Sequence, residues 1–277
     1  MGPAQAHEVR MTVTDATPII SRDAAHHYFY ENVQYPSVTT VLEAMGIAFG
    51  IASWYGAKHA ARAAIEMIAE LPRLIETLGP EATAKAIASA GNKYRDDAAQ
   101  LGTEVHDLAD KMIRGVELPF MTPTQLARVE HYRKWWEGEQ KQGAKLRLSE
   151  AMIVRPMDPG NAWSGWGGTF DLLYYDADGA TVLADIKTGG KWGRKVYEKE
   201  VLQVAAYGMG KLVQPAEVGF TLPSVYPMPK VDKYKVIHVT GEGCHPLAVD
   251  VTSREHMAFL AVLDLYHWQQ EQKGKIG

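Results

Sequence analysis

Apolar positions along the chain change their spacing near residue 146. Before it they recur every three or four residues, as on one face of a helix; after it they alternate, as in strands. Residues 1–36 mix polar turns with a His-Tyr-Phe-Tyr run at 27–30 and predict irregular or short-strand structure. Ser37 suits a helix N-cap, and Val38, Val41, Leu42 and Met45 follow at helical spacing until Gly46 and Gly50, which are expected to interrupt the helix. The alanine-rich segment 58–78 places Ala61, Ala64, Ile65, Ile68 and Leu71 at apolar positions, and Pro72 is expected to kink or split it. Further helices are predicted over 80–89, over 94–114 with a stripe of Leu101, Val105, Leu108 and Met112, and from Thr122-Pro123 through Trp135-Trp136 to Lys141.

Strand patterns take over at 146–154, which contains Glu150. A Gly/Trp loop follows at 160–168, then strands at 169–175 and 181–187. Asp176-Ala177-Asp178-Gly179 between them is a turn signal, and Gly189-Gly190 closes the second strand. An apolar helix is expected over 197–213, short strands at 217–222 and 234–240, and a last helix over 253–272. The fold class is therefore α/β with a helical N-terminal portion over 1–145 and an α/β core over 146–277. Without internal repeats or long linkers, residues 1–277 are expected to form a single domain.

Composition narrows this picture. With 46% hydrophobic and 22% charged residues, disorder and a coiled-coil rod are excluded. The longest charge-free stretch, 44–57, has 14 residues, too few to cross a bilayer as a helix, so no membrane association is expected. No basic-then-apolar leader pattern opens the sequence, and a cytoplasmic setting is expected. The lone Cys244 excludes an internal disulfide framework, a four-cysteine zinc site and a cysteine-ligated iron–sulphur cluster. A net charge of -4 exerts no general pull on nucleic acid, so such binding needs a local basic patch. Residues 187–200 supply one: Lys187, Lys191, Arg194, Lys195 and Lys199 against Glu198 and Glu200, with Trp192 available to stack on a base. A solvated loop would have the same composition.

The hairpin carries the strongest chemical signal. A loop over 176–180 pairs Tyr175 with Thr181, and the same register sets Asp171 opposite Asp185. Lys187, two residues on, points to the same face as Asp185 and Leu183; Phe170, Leu172, Tyr174, Val182, Ala184 and Ile186 are expected on the other. Strands apolar on both faces are buried, so these are poor candidates for solvated decoration. Two close carboxylates repel unless one is protonated or a cation lies between them, and oxygen donors of this kind suit Mg²⁺ or Mn²⁺. Lys187 is then placed to orient or deprotonate a water, or to steady charge on a phosphate.

Gly168-Thr169-Phe170-Asp171, Asp185-Ile186-Lys187 and Gln203-x-x-x-Tyr207, taken in order, resemble the PD-(D/E)XK nuclease superfamily. Leu101-Gly102-Thr103-Glu104-Val105-His106 is similar to the Gly-Thr-x-x-His helix motif of its RecB-type exonuclease branch. The Tyr35-Pro36-Ser37-Val38-Thr39-Thr40 stretch resembles the N-terminal motif of phage and mitochondrial genome maintenance exonucleases. The resemblance covers roughly residues 35–210 and departs from the family name at the proline, where Phe170 stands. It implies a restriction-endonuclease-like core, a central mixed sheet flanked by helices. It also implies His106, Glu150, Asp171 and Asp185 as metal ligands, with Lys187, Asp171 and Asp185 as the catalytic set. Gln203 and Tyr207, one helical turn apart, would position DNA or the lysine, with Lys191 and Arg194 binding substrate. Trp163 and Trp166 would contact a strand end or serve as packing.

The expected function is a Mg²⁺- or Mn²⁺-dependent exonuclease acting on single- or double-stranded linear DNA, phage-encoded and used in replication or recombination. A recombination or single-strand-binding protein is the expected partner. Alternatives are a structure-selective endonuclease and a non-catalytic DNA-binding module. Each Gly-Lys dipeptide is followed by Trp, Leu or Ile, never Ser or Thr, so no P-loop exists and no nucleotide cofactor is expected.

Overall fold

The structure, a computed structural model, describes residues 19–189, 195–215 and 224–276. Three short strands come first: β1 (Ser21–Arg22), β2 (Tyr28–Tyr30) and β3 (Val33–Tyr35) form a small antiparallel sheet. The β2–β3 turn is the two-residue kind, with Glu31 and Asn32 at φ 50° and 61°, the left-handed pair that matches strand twist. Helices α1 (Val38–Glu43), α2 (Ile47–Glu66), α3 (Leu71–Leu78), α4 (Pro80–Ile113) and α5 (Pro123–Lys141) follow. Ser37 caps α1 as its sequence suggests, accepting from Thr40 N at 3.0 Å. Thr122 and Gln125 form a capping box at α5.

The remaining elements are β4 (Lys145–Arg155), β5 (Trp166–Tyr175), β6 (Thr181–Thr188), α6 (Glu198–Gly208), β7 (Leu212–Gln214), β8 (Tyr226–Pro227), β9 (Lys233–Val239), β10 (Cys244–Val249) and α7 (Ser253–Ile276). Together they make an α/β layer structure with a seven-stranded mixed sheet, ordered β10-β9-β6-β5-β4-β7-β8. Only β6 and β9 run parallel among these neighbours. One sheet face buries Leu173, Leu183 and Val236 against Val41 of α1, Val204 of α6 and Phe259 of α7. The other buries Leu172, Tyr174 and Ile237 against Val105 of α4 and Tyr132 and Trp136 of α5. Each such side chain contributes about 1.5–3 kcal/mol, and the two clusters clamp the sheet between helices.

Several expectations need correction. Gly50 lies inside α2 rather than ending a helix. Pro72 splits the alanine-rich segment by starting α3, where its missing N–H is harmless. Ile65 and Ile68 point outward, and Ala63 is the buried residue of that stretch. The helices expected at 80–89 and 94–114 are one 34-residue helix, α4. Gly91 does not break it but lets α2 cross closely, since a Cβ there would sit 2.8 Å from Ala60 N. Helix α6 stops at Gly208, because Leu212–Gln214 pairs with β4 as an edge strand. Phe170 packs with Leu173 and Leu183 rather than with Leu172 and Tyr174. The strand expected at 217–222 lies outside the described residues, whereas β8 and β10 were not anticipated.

Two glycines in helix interiors should respond with opposite signs. Gly91→Ala meets backbone atoms of α2 and is expected to lower stability. Gly138→Ala in α5 meets nothing within 4 Å and should raise it by about 0.5–1 kcal/mol. Chemical denaturation of the two variants checks both signs.

Candidate active site

Strands β5 and β6 pair over Leu172–Tyr175 and Thr181–Ala184, in the register expected for a 176–180 loop. Beyond Leu172 and Ala184 they diverge: β5 continues against β4, and β6 continues against β9 as far as Thr188. Asp171 and Asp185 stand at this fork. The carboxylate of Asp171 accepts a hydrogen bond from the backbone N–H of Ile186, which has left the β5–β6 ladder. On β4, the neighbours of Glu150 pair as Ser149 with Leu172 and Ala151 with Phe170. Glu150 faces Asp171 in this register with φ 46°, a left-handed conformation uncommon for a non-glycine residue in a strand. Phe170 and Leu173, three residues apart, meet the same core, so side-chain alternation slips by one residue beside Asp171. That slip is why the face expected for Phe170 was wrong.

Helix α6 covers the fork. Lys187 Nζ lies 2.6 Å from Asp185 Oδ2 and donates to Gln203 Oε1 at 2.9 Å. Gln203 Nε2 donates to Asp185 Oδ1 at 3.2 Å and to Tyr207 Oη at 2.9 Å. Gln203 and Tyr207 thus form a relay along one helix face, as their spacing suggests. The Tyr207 ring occupies the space where a Cβ on Gly168 would be, 2.6 Å from Cε1, which explains the glycine three residues before Asp171 on β5. From α4, His106 Nδ1 approaches Asp171 Oδ1 at 3.4 Å.

Burial and mutual charge set the protonation states. Burial opposes the Lys187 ammonium, but Asp185 and then Asp171 hold it above its ordinary range, so it stays charged at neutral pH. Burial pushes Asp185 up to about 6 against the pull of Lys187. Asp171 is the carboxylate that stays ionised: burial raises it, but His106 and Lys187 more than compensate. His106 is the reciprocal case, its imidazolium favoured by Asp171 despite burial. Glu150, half-buried and facing the Asp171 charge, is pushed up to about 8, mainly by its desolvation.

His106, Glu150 and Asp171 each offer a donor atom, and these atoms lie within 4.8 Å of one another. One imidazole nitrogen with two carboxylate oxygens fits Mn²⁺ or Mg²⁺, and the proton that Glu150 retains marks a place short of positive charge. Asp185 lies outside this trio, its oxygens directed at Lys187 and Gln203. All four expected acidic and histidine residues line one open cleft of about 860 Å³, with Lys187, Gln203 and Tyr207. Lys191 and Arg194, expected to bind substrate, and Trp192 lie outside the described residues. Trp166 is fully buried against Phe259 and is packing. Trp163 is half exposed and rests on His267 at 4.7 Å.

The cleft also has a wall the sequence did not reveal, Arg22, His26 and Tyr28 of the small N-terminal sheet. Tyr28 hydroxyl bonds Thr169 Oγ1 at 2.8 Å, and a Cβ on Gly167 would lie 2.4 Å from Tyr28 Cβ. The only hint was the aromatic run at 27–30, because no local motif announces a wall built by long-range packing.

These features define an α/β protein with a histidine–carboxylate–lysine cleft at a sheet fork. No family model matches the chain, and no curated protein matches it. Among solved structures, one described as the crystal structure of SSO0001 aligns at 11% identity with a TM-score of 0.33. The alignment covers 52% of this chain and 60% of that one, and a likeness this weak carries no argument. No helix among the described residues is long and apolar enough to cross a membrane.

Glu150 gives a pH signature. Its affinity for a proton rises from 4.5 to about 8 on folding, so the folded chain binds the proton more tightly than the unfolded one. The resulting stabilisation is full below pH 4.5 and is lost as pH rises toward 8. Metal-free protein should therefore lose stability across that window, and Glu150→Gln should flatten the loss. Denaturant titrations at pH 5, 6, 7 and 8 check it; an unchanged slope in the variant would refute the assignment.

Proposed function

We propose that the protein is a metal-dependent deoxyribonuclease with a PD-(D/E)XK-type core, hydrolysing phosphodiester bonds from DNA ends. The observation that carries this reading is the pairing of Lys187 with Asp185 and Gln203 beside the His106–Glu150–Asp171 trio, at the floor of an open cleft. That arrangement joins a fixed cation to a metal-competent donor set on diverging strands, as the ordered motifs imply. The carboxylates beside Lys187 favour its charged form, which supports a role in steadying charge on a phosphate oxygen.

His106, Glu150 and Asp171 would hold a divalent cation, which when bound supplies Lewis acidity and lowers the pKa of a water. Gln203 keeps Lys187 aimed, and Tyr207 in turn fixes the amide of Gln203. Asp185 balances the lysine charge in the interior, where an unpaired ammonium would be costly. The setting in phage replication or recombination, with a recombination or single-strand-binding partner, follows from the motif resemblance.

Purified protein with Mg²⁺ or Mn²⁺, end-labelled single- and double-stranded DNA and a closed circle tests the reading. Linear DNA should be lost while the circle survives. Lys187→Ala should slow the loss by about 10²–10³-fold, the scale of removing one charge-stabilising donor. Cutting of the circle would make the enzyme an endonuclease. Binding without cutting under either metal, or full activity in the variant, would contradict the proposal.

A further inference from the structure

Glu150 is an acidic residue held in a left-handed conformation within a strand, and such strain persists only where the surroundings enforce it. A buried side-chain contact lies one residue away. Ser149 Oγ donates to Asp110 Oδ1 of α4 at 2.6 Å, and both residues are buried, at 7% and 8% exposure. The second oxygen of Asp110 pairs with Arg114, one turn further along α4. Asp110 is itself one turn after His106, so both lie on the same helix face. One stretch of α4 therefore presents His106 to the donor trio and Asp110 to the backbone next to Glu150. An Asp serving only its own helix would be satisfied by Arg114; this one reaches across to β4.

We infer that Ser149, Asp110 and Arg114 form a positioning relay that sets the separation of His106 and Glu150 and so governs divalent-cation affinity. This rests on the trio being a metal site, as proposed above. None of the three need touch the ion. Asp110 ties the helix to the strand, Arg114 holds Asp110 in its rotamer, and Ser149 passes the constraint to the backbone that points Glu150 into the cleft. Outer groups of this kind typically alter metal affinity by about 10–100-fold.

The test is Mn²⁺ binding to the full chain without DNA, read by electron paramagnetic resonance of free Mn²⁺, with thermal melts of the metal-free proteins alongside. Ser149→Ala should weaken Mn²⁺ binding about 10–100-fold, and Ser149→Thr, which keeps the hydroxyl, should restore most of it. Arg114→Ala, at the partly exposed helix end and touching the buried pair only through the second oxygen of Asp110, should weaken it by a smaller factor of about 3 while staying folded. A purely structural role would lower the melting temperatures and leave Mn²⁺ affinity unchanged in the folded variants, and that result overturns the inference while sparing the metal site. Failure of the wild-type chain to bind Mn²⁺ overturns both.

Discussion

The fork between β5 and β6 is the constraint on which the site depends. Had the two strands stayed paired, the N–H of Ile186 would have bonded within the ladder. Because β6 follows β9 and β5 follows β4, that N–H needs another acceptor, and the Asp171 side chain provides it. Leaving a buried N–H unpaired costs about 1–3 kcal/mol, so Asp171 is held in place by the backbone it satisfies. The gap that opens admits Gln203 and Tyr207 from α6, brings Lys187 against Asp185 and turns Glu150 toward Asp171.

Charge follows from that geometry. Asp107, Asp110, Glu150, Asp171 and Asp185 line the cleft, against Lys187 and Arg22 as its permanent cations. Without a metal, protons restore the balance: Glu150 keeps one up to about 8 and His106 is favoured in its charged form. A divalent cation at the trio would displace those protons, so binding should release acid and strengthen with pH. The same excess of carboxylates repels a bare phosphodiester, and a bound cation together with Lys187 would reverse that field.

Much of this was legible in the sequence where local chemistry dominates. The turn at Asp176–Gly179 and the alternation on either side of it set the hairpin register over Leu172–Tyr175 and Thr181–Ala184, and Asp171 and Asp185 stand just past the point where that pairing ends. Ser37 and Thr122 marked helix starts because capping is a local hydrogen bond. The misses arise where tertiary packing decides. The helices expected at 80–89 and 94–114 are continuous through Gly91, where α2 crosses closely. The left-handed backbone of Glu150 has no local signal in the sequence, and neither has the bond of its neighbour Ser149 to Asp110, 39 positions away. Phe170 changes face because the strand slips at the fork. Sequence spacing alone also does not show that Asp185 contacts Lys187 and Gln203, because that depends on where α6 lands.

The most direct test of the central claim is anomalous diffraction at the manganese edge from crystals of the protein soaked in Mn²⁺. The account predicts a peak bounded by His106, Glu150 and Asp171, with Lys187 still against Asp185, and loss of that peak in Glu150→Gln. Ordered manganese elsewhere in the molecule with none at the trio, or a peak unchanged by the substitution, would contradict it.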